Sequence, residues 1–87
     1  MTHDPAEAVI LRLLAARGAG KSIAPADAAR ALAGNPADDK WRASLSPIRL
    51  AMLRLAKAGQ IELLRKGKKI APEDARGVLR LRLPEAP

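Results

Sequence analysis

The spacing of apolar residues changes at Gly59, and this change restricts the folds open to the chain. Before Gly59, apolar side chains recur every three or four residues, the period of a helix with one buried face. After it they alternate with other side chains, first at Ile61 and Leu63 and later at Leu79 and Leu81, the period of a half-buried strand. The sequence therefore predicts helices followed by an antiparallel pair of strands.

Capping and helix-breaking residues set the limits of the first two helices. Asp4 can cap a helix and Pro5 suits the first helical position, so a helix is predicted over residues 5–17. Pro25 opens a second helix and Gly34 ends it, because glycine tolerates the left-handed conformation that commonly follows a helix. The buried side of this second helix is predicted to be Ala28, Ala29 and Leu32.

A third helical region is predicted from Trp41 to Ala58, with Ser46 as a new N-cap and Pro47 as a new first position where the helix kinks or restarts. Trp41, a large residue at the start of a helix, is interpreted as a core anchor. One face of this region is apolar and consists of Leu45, Ile48, Ala51, Met52, Leu55 and Ala56.

The predicted elements are ordered helix, short strand, helix, helix, strand, loop, strand. The short strand is Lys21–Ile23, and the long loop is residues 66–77. This is the order of a winged helix, an α+β, mostly helical fold in which a three-helix helix-turn-helix core carries a small antiparallel hairpin as its wing. We expect a single domain over residues 1–87, with an ordered core at about 5–83 and a loose tail at 84–87.

Five short segments resemble a bacterial family of small winged-helix domains of unknown function (domain of unknown function family 3253). They are Trp41-Arg42, Ser46–Arg49, Ala58–Ile61, Arg65–Lys68 and Gly77–Arg82. The resemblance spans about Glu7 to Leu83. It implies the fold and, by analogy with the wider winged-helix superfamily, DNA binding; it gives no residue a known role.

The positive charge is concentrated in one third of the chain. The net charge is +7, and the segment from Lys40 to Lys69 contains nine basic residues and a single acidic one, Glu62, which gives it +8. The other 57 residues have a net charge of −1. Such a localised positive field attracts polyanions, so the sequence predicts a nucleic acid as the partner.

The predicted DNA-contacting residues lie on the polar face of the third helix and at the bend of the wing. In helix-turn-helix proteins the second helix of the pair enters the major groove, where arginine reads guanine edges and lysine contacts phosphates. The set consists of Arg42, Ser46, Arg49, Arg54, Lys57, Arg65, Lys66, Lys68 and Lys69. We therefore expect a duplex-DNA-binding protein, such as a transcriptional regulator. An ordinary solvated helix face is the competing interpretation.

Leu50 and Leu53 lie on the same side of the third helix as its predicted DNA-contacting residues, and they suggest a second possible function. They could pack beneath the wing, contact thymine methyl groups, or form a protein interface. The alternative to DNA binding is therefore a protein-interaction module or homodimeric adaptor without DNA readout. RNA binding is a third hypothesis. The sequence disfavours it because proteins that bind single strands stack bases on several aromatic rings, and Trp41 is the single aromatic residue.

Residues Ala15–Ser22 match a relaxed P-loop pattern, with alanine in place of the first glycine. A P-loop follows a buried strand and enters a helix, whereas a predicted helix leads into this segment. We therefore interpret Ala15–Ser22 as the end of a helix followed by a turn.

No catalytic or metal constellation is visible. The serines have no nearby histidine, His3 is the only histidine, and there are no cysteines. We expect no enzyme activity, no cofactor and no small-molecule substrate. The sequence has no apolar run long enough to span a membrane and no visible secretory signal, so a cytoplasmic protein without a membrane partner is expected.

Overall fold

The computed structural model describes residues 4–84. Within this range three α-helices and a four-stranded antiparallel sheet form an α+β fold, which confirms the predicted fold class and is compatible with a winged-helix-like arrangement. The helices are α1 (Pro5–Arg17), α2 (Pro25–Leu32) and α3 (Leu45–Lys57). The strands are β1 (Ser22–Ile23), β2 (Glu62–Arg65), β3 (Lys68–Ile70) and β4 (Arg80–Arg82), and Asp39–Ser44 and Pro72–Asp74 form short 3-10 helices.

The first helix has the predicted limits. The Asp4 side chain accepts a hydrogen bond from the backbone N–H of Glu7 at 2.9 Å, and Pro5 occupies the first position. Gly18 follows the last turn with a φ of 95°, which a residue with a Cβ rarely adopts. The helix buries Ala6, Ile10 and Leu14.

The second helix also begins where predicted, at Pro25. The backbone N–H of Ala24 donates to the Asp27 carboxylate at 2.9 Å, which fixes the entry of the chain into the helix. Its last residue is Leu32, two positions before Gly34. Ala28 and Ala29 are fully buried, whereas Leu32 is only partly buried.

The third helical region divides in two near the predicted restart, but the N-cap of its α-helix is Ser44 and not Ser46. The segment containing Trp41 is a 3-10 helix, capped by the Asp38 carboxylate, which accepts from the backbone N–H of Lys40 at 3.0 Å. The α-helix then begins at Leu45, so Ser46 lies in its first turn and is not the N-cap. Pro47 fits there because the first N–H groups of a helix have no intrahelical partner.

The loop predicted over residues 66–77 contains a strand, which is the second correction. A two-residue turn at Lys66 and Gly67, with φ values of 53° and 78°, connects β2 to β3. The strand order is β1-β4-β2-β3, so β2 lies between β4 and this additional edge strand. Lys68–Ile70 has no apolar alternation, and its strand conformation depends on pairing with β2.

The core lies between the helices and one face of the sheet. The predicted apolar face of α3 is confirmed, because Ile48, Ala51, Met52 and Leu55 are buried and Leu45 and Ala56 are partly buried. The strand residues Ile23, Leu63 and Leu81 complete the core, together with Ile61 and Leu79, which directly precede β2 and β4. This packing directs the opposite face of α3 towards solvent.

None of the helices in residues 4–84 combines the length and the apolar character needed to cross a bilayer. His3 and all of the predicted loose tail except Pro84 lie outside the described residues.

Candidate nucleic-acid interface

The outward face of α3 is polar and basic. Ser46, Arg49 and Lys57 are exposed there, and α3 contains no acidic residue. Arg49 and Lys57 have no ion-pair partner among residues 4–84, so their charges are available to a ligand. These three residues were predicted as site residues, and the fold brings them to one solvent-facing surface.

Arg54, a fourth predicted contact on α3, is held by the start of α1. Its guanidinium forms an ion pair with the Asp4 carboxylate and lies 3.7 Å from a Glu7 carboxylate oxygen. The hydrogen bond from the backbone N–H of Glu7 is the main cause that lowers the pKa of Asp4, and desolvation opposes it. The Arg54 charge lowers this pKa by a smaller amount. Arg54 therefore links α3 to α1, and a nucleic acid would have to compete with two carboxylates for it.

Arg42 lies on the 3-10 helix before α3 and is stacked near Trp41. Its guanidinium carbon is 5.0 Å from the centre of the indole ring, and that of Arg30 is 4.4 Å from it. Asp39 is 3.9 Å from Arg42, at an exposed position where such a pair contributes little. Trp41 itself is 9% exposed and belongs to the core, so its interpretation as an anchor is confirmed.

The hairpin between β2 and β3 presents two free lysines. Lys66 and Lys68 are exposed and have no partner among the described residues. Arg65 donates to the backbone carbonyl of Asp74 at 3.0 Å, and Lys69 lies 3.4 Å from the Glu62 carboxylate. Of the four predicted contacts in this hairpin, Arg65 and Lys69 therefore contact other protein groups, and Lys66 and Lys68 are free.

Glu62 is the acidic centre of this sheet. It accepts two hydrogen bonds from Arg82, at 2.7 and 3.1 Å, in addition to its contact with Lys69. The Arg82 hydrogen bonds lower the pKa of Glu62, with a smaller contribution from Lys69, and partial burial opposes them. Glu62 therefore neutralises part of the positive charge that the sequence places around the β2–β3 hairpin.

Arg76 is a candidate contact that sequence reasoning missed. It lies outside the basic third of the chain, but the segment from Ala75 to Leu79 passes beside α3, and Arg49 and Arg76 line the same cleft. Arg76 is exposed and has no partner within the described range. Its position beside Arg49 depends on the path of the chain after β3. Because β3 was not predicted, the sequence did not indicate this position.

Leu50 and Leu53, the two leucines beside the basic residues of α3, have different environments. Leu53 is partly buried against the core and lines the cleft beneath residues 75–79. Leu50 is 59% exposed and lies near Pro5 and Pro47. Only Leu50 is therefore well placed to contact another molecule.

The segment that matches a relaxed P-loop pattern, Ala15–Ser22, covers the end of α1, a turn and the start of β1. The Ser22 hydroxyl accepts a hydrogen bond from Arg80 at 2.7 Å. A helix enters the segment and a short strand follows it, which is the reverse of the order in a P-loop. Within residues 4–84 no three histidine or acidic side chains come together as a metal site.

The sequence model of one family, described as Protein of unknown function (DUF3253), matches residues 3–84. The chain belongs to this family. The match to DUF3253 includes all three helices, the whole sheet and every candidate contact above. No curated protein matches the chain.

Proposed function

We propose that this DUF3253 protein is a winged-helix protein that binds duplex DNA, with α3 in the major groove and the β2–β3 hairpin on the phosphate backbone. The observation that carries the proposal is the outward face of α3, where Ser46, Arg49 and Lys57 are exposed and no acidic residue repels a polyanion. Helix-turn-helix proteins bind DNA with a face of this kind. The proposal includes a cytoplasmic location and no catalytic step.

The residues have different roles in this proposal. Ser46 and Arg49 lie in the first half of α3, the part of a recognition helix that contacts base edges, and arginine can donate two hydrogen bonds to guanine. The phosphate contacts are the free cations Lys57, Lys66, Lys68 and Arg76. Arg42, Arg65 and Lys69 strengthen the surrounding positive field. Arg54 is not proposed as a DNA contact, because it is paired with two carboxylates.

The salt dependence of duplex binding tests the proposal. If Arg49 and the four phosphate contacts each release a counterion, log Kd should rise with log salt with a slope of about 4.5. Raising the salt from about 50 to about 200 mM should then weaken the affinity about 500-fold. Fluorescence anisotropy of a labelled duplex measures this, and no binding at the lower salt concentration contradicts the proposal.

Two arginine variants distinguish specific DNA contact by α3 from attraction of DNA by the net charge of the protein. Arg49→Gln should weaken duplex binding at least about tenfold, because it removes a groove contact as well as a charge. Arg17→Gln makes the same change at an exposed arginine in the groove between α1 and α2 and should have less than about a twofold effect. Equal losses in both variants would show unspecific polyanion attraction. Selection from a random duplex pool and competition with RNA then identify the preferred nucleic acid.

The second candidate function is a protein-interaction module or homodimer, and the exposure of Leu50 favours it. If Leu50 is an interface residue, light scattering should detect a dimer that Leu50→Asp dissociates. Val78→Asp is the matched control because Val78 is 88% exposed but lies near Leu45 and Arg49, in a different patch from the one beside Pro5. A monomer at all concentrations contradicts the homodimer.

A further inference from the structure

The cleft between α3 and the segment Ala75–Leu79 has the features of a small-molecule site. Its volume is about 160 Å³, and its apolar lining includes Pro25, Met52, Leu53 and Leu79. A cavity of about 150 Å³ lined by apolar side chains is large enough to bind benzene. The cleft is therefore large enough for one six-membered ring or a branched chain of four or five carbons.

Two arginines give the cleft its charge. Arg49 projects from α3 and Arg76 belongs to the loop on the other side, and both line the cleft. Neither has a hydrogen-bond or ion-pair partner among residues 4–84, and none of the described residues that line the cleft is acidic. The chain thus leaves the donors of two guanidinium groups unused beside an apolar surface.

These features together select one chemical class of ligand. A guanidinium group offers parallel N–H donors that match the two oxygens of a carboxylate. The apolar lining favours a ligand with a hydrocarbon body, because its burial removes apolar surface from water. A phosphate or sulfate ion satisfies the arginines but leaves the apolar surface exposed, and a neutral hydrocarbon leaves the arginines unpaired.

We propose that this cleft binds a small apolar monocarboxylate, an aromatic or branched aliphatic acid. Its carboxylate lies between Arg49 and Arg76, and its hydrocarbon body lies on Met52, Leu53 and Leu79. This binding function goes beyond the proposed DNA contact, although Arg49 and Arg76 belong to both surfaces. Its test contains no nucleic acid, so it can fail or succeed independently of DNA binding.

Methyl NMR of the full chain measures binding directly. Titration with sodium benzoate should shift the methyl signals of Met52, Leu53 and Leu79 saturably, with a Kd of about 1 mM for so small a ligand. Sodium isovalerate should shift the same signals. Benzyl alcohol, which keeps the ring without the charge, and sodium acetate, which keeps the charge without the hydrocarbon, should each bind at least about tenfold more weakly.

Arginine variants test where the carboxylate lies. Arg76→Gln should raise the benzoate Kd at least about fivefold and Arg76→Lys should raise it less, because lysine keeps the charge without the planar donor pair. Arg17→Gln, in the separate groove between α1 and α2, should leave the Kd unchanged. An unchanged methyl spectrum in the absence of benzoate shows that each variant is folded.

Three results overturn the proposal. The first is no saturable shift of the cleft methyl groups up to about 20 mM benzoate, well above the expected Kd. The second is equal binding of benzoate and either comparison compound, which would show an apolar cavity alone or unspecific anion attraction. The third is a benzoate Kd that Arg76→Gln does not change, which would place the carboxylate elsewhere.

Discussion

At the scale of single residues, Glu62 shows how one carboxylate can hold two cations. It lies on β2 opposite Arg82 on β4, and it also contacts Lys69 on β3, so one carboxylate connects three strands. Its side chain is 12% exposed, which shields these contacts from water more than the pairs at the surface. The sequence shows Glu62 only as the single acid in a basic segment, and its cationic neighbours follow from the pairing of the strands.

Replacing this carboxylate should destabilise the fold in a pH-dependent way. Glu62→Gln should lower the free energy of unfolding at pH 7 by about 1 kcal/mol, because it weakens the charged hydrogen bonds to Arg82. The pKa of Glu62 is lowered in the folded protein, so its charge stabilises the fold above the unfolded pKa of about 4.3. That stabilisation is lost as the pH falls through the lower, folded pKa.

Urea unfolding of Glu62→Gln and the unchanged protein at pH 7 and about pH 3 measures the difference. The gap between the two proteins should narrow at the acidic pH. Glu73→Gln, an exposed carboxylate on the short 3-10 helix, is the control and should match the unchanged protein at pH 7. A gap of the same size at both pH values would mean that the carboxylate charge is not what stabilises the sheet.

At the scale of elements, the features that could be predicted from sequence are those with local causes. Asp4 and Pro5 act within one turn to begin α1, and Pro25 does so for α2. The edge strand Lys68–Ile70 could not be predicted, because its stability comes from hydrogen bonds to another strand. The pairing of Arg54 with Asp4 was hidden for a similar reason, since 50 positions separate them.

The two faces of α3 should respond very differently to the same truncation. Leu55 is 1% exposed in the core, and Leu50 is 59% exposed on the outward face. Leu55→Ala should lower the free energy of unfolding by about 3 kcal/mol, through lost burial and the cavity left behind. Leu50→Ala should lower it by less than about 0.5 kcal/mol. Urea unfolding checks both, and a large effect of Leu50→Ala would indicate that this residue is covered, as in a dimer.

The β2–β3 turn allows stability and DNA binding to be separated. Lys66 and Gly67 both have positive φ, as in the tight hairpin turn that favours Asn-Gly. Lys66→Asn should therefore raise the free energy of unfolding by about 0.5 kcal/mol, because asparagine tolerates this conformation better than lysine.

The same substitution removes a proposed phosphate contact, so duplex affinity should fall and the salt slope should decrease by about one. Thermal unfolding and fluorescence anisotropy on the same sample measure the two effects. Lys68→Gln, which lies after the turn, should reproduce the loss of affinity without the gain in stability. Unchanged affinity in both variants would place the hairpin outside the DNA interface.

At the scale of the whole molecule, the fold redistributes the charge that the sequence concentrates in one segment. Arg54 and Lys69 belong to that segment but are paired with carboxylates. Arg76 lies outside it and is brought beside Arg49 on the outward face of α3. The free cations named above therefore come from α3, the β2–β3 hairpin and the loop after β3, and they are fewer than the nine basic residues of the segment.

Arg49 belongs both to the proposed DNA-reading face and to the proposed carboxylate cleft, so the two ligands should oppose each other. A carboxylate on Arg49 neutralises a contact that DNA needs, and by linkage each ligand must weaken the other by the same factor. Saturating benzoate should raise the duplex Kd at least about tenfold compared with sodium acetate at the same concentration, which controls for the salt effect.

Anisotropy titrations of the duplex in benzoate, and methyl NMR titrations of benzoate with saturating duplex, give the two coupling factors independently. Arg76→Gln should reduce both factors together, because it removes one of the two cations that the ligands share and leaves only Arg49 common to both. Arg17→Gln should leave both unchanged. If benzoate and the duplex each bind but neither alters the affinity of the other, the two sites share neither Arg49 nor Arg76, and one of the two proposals places its ligand wrongly.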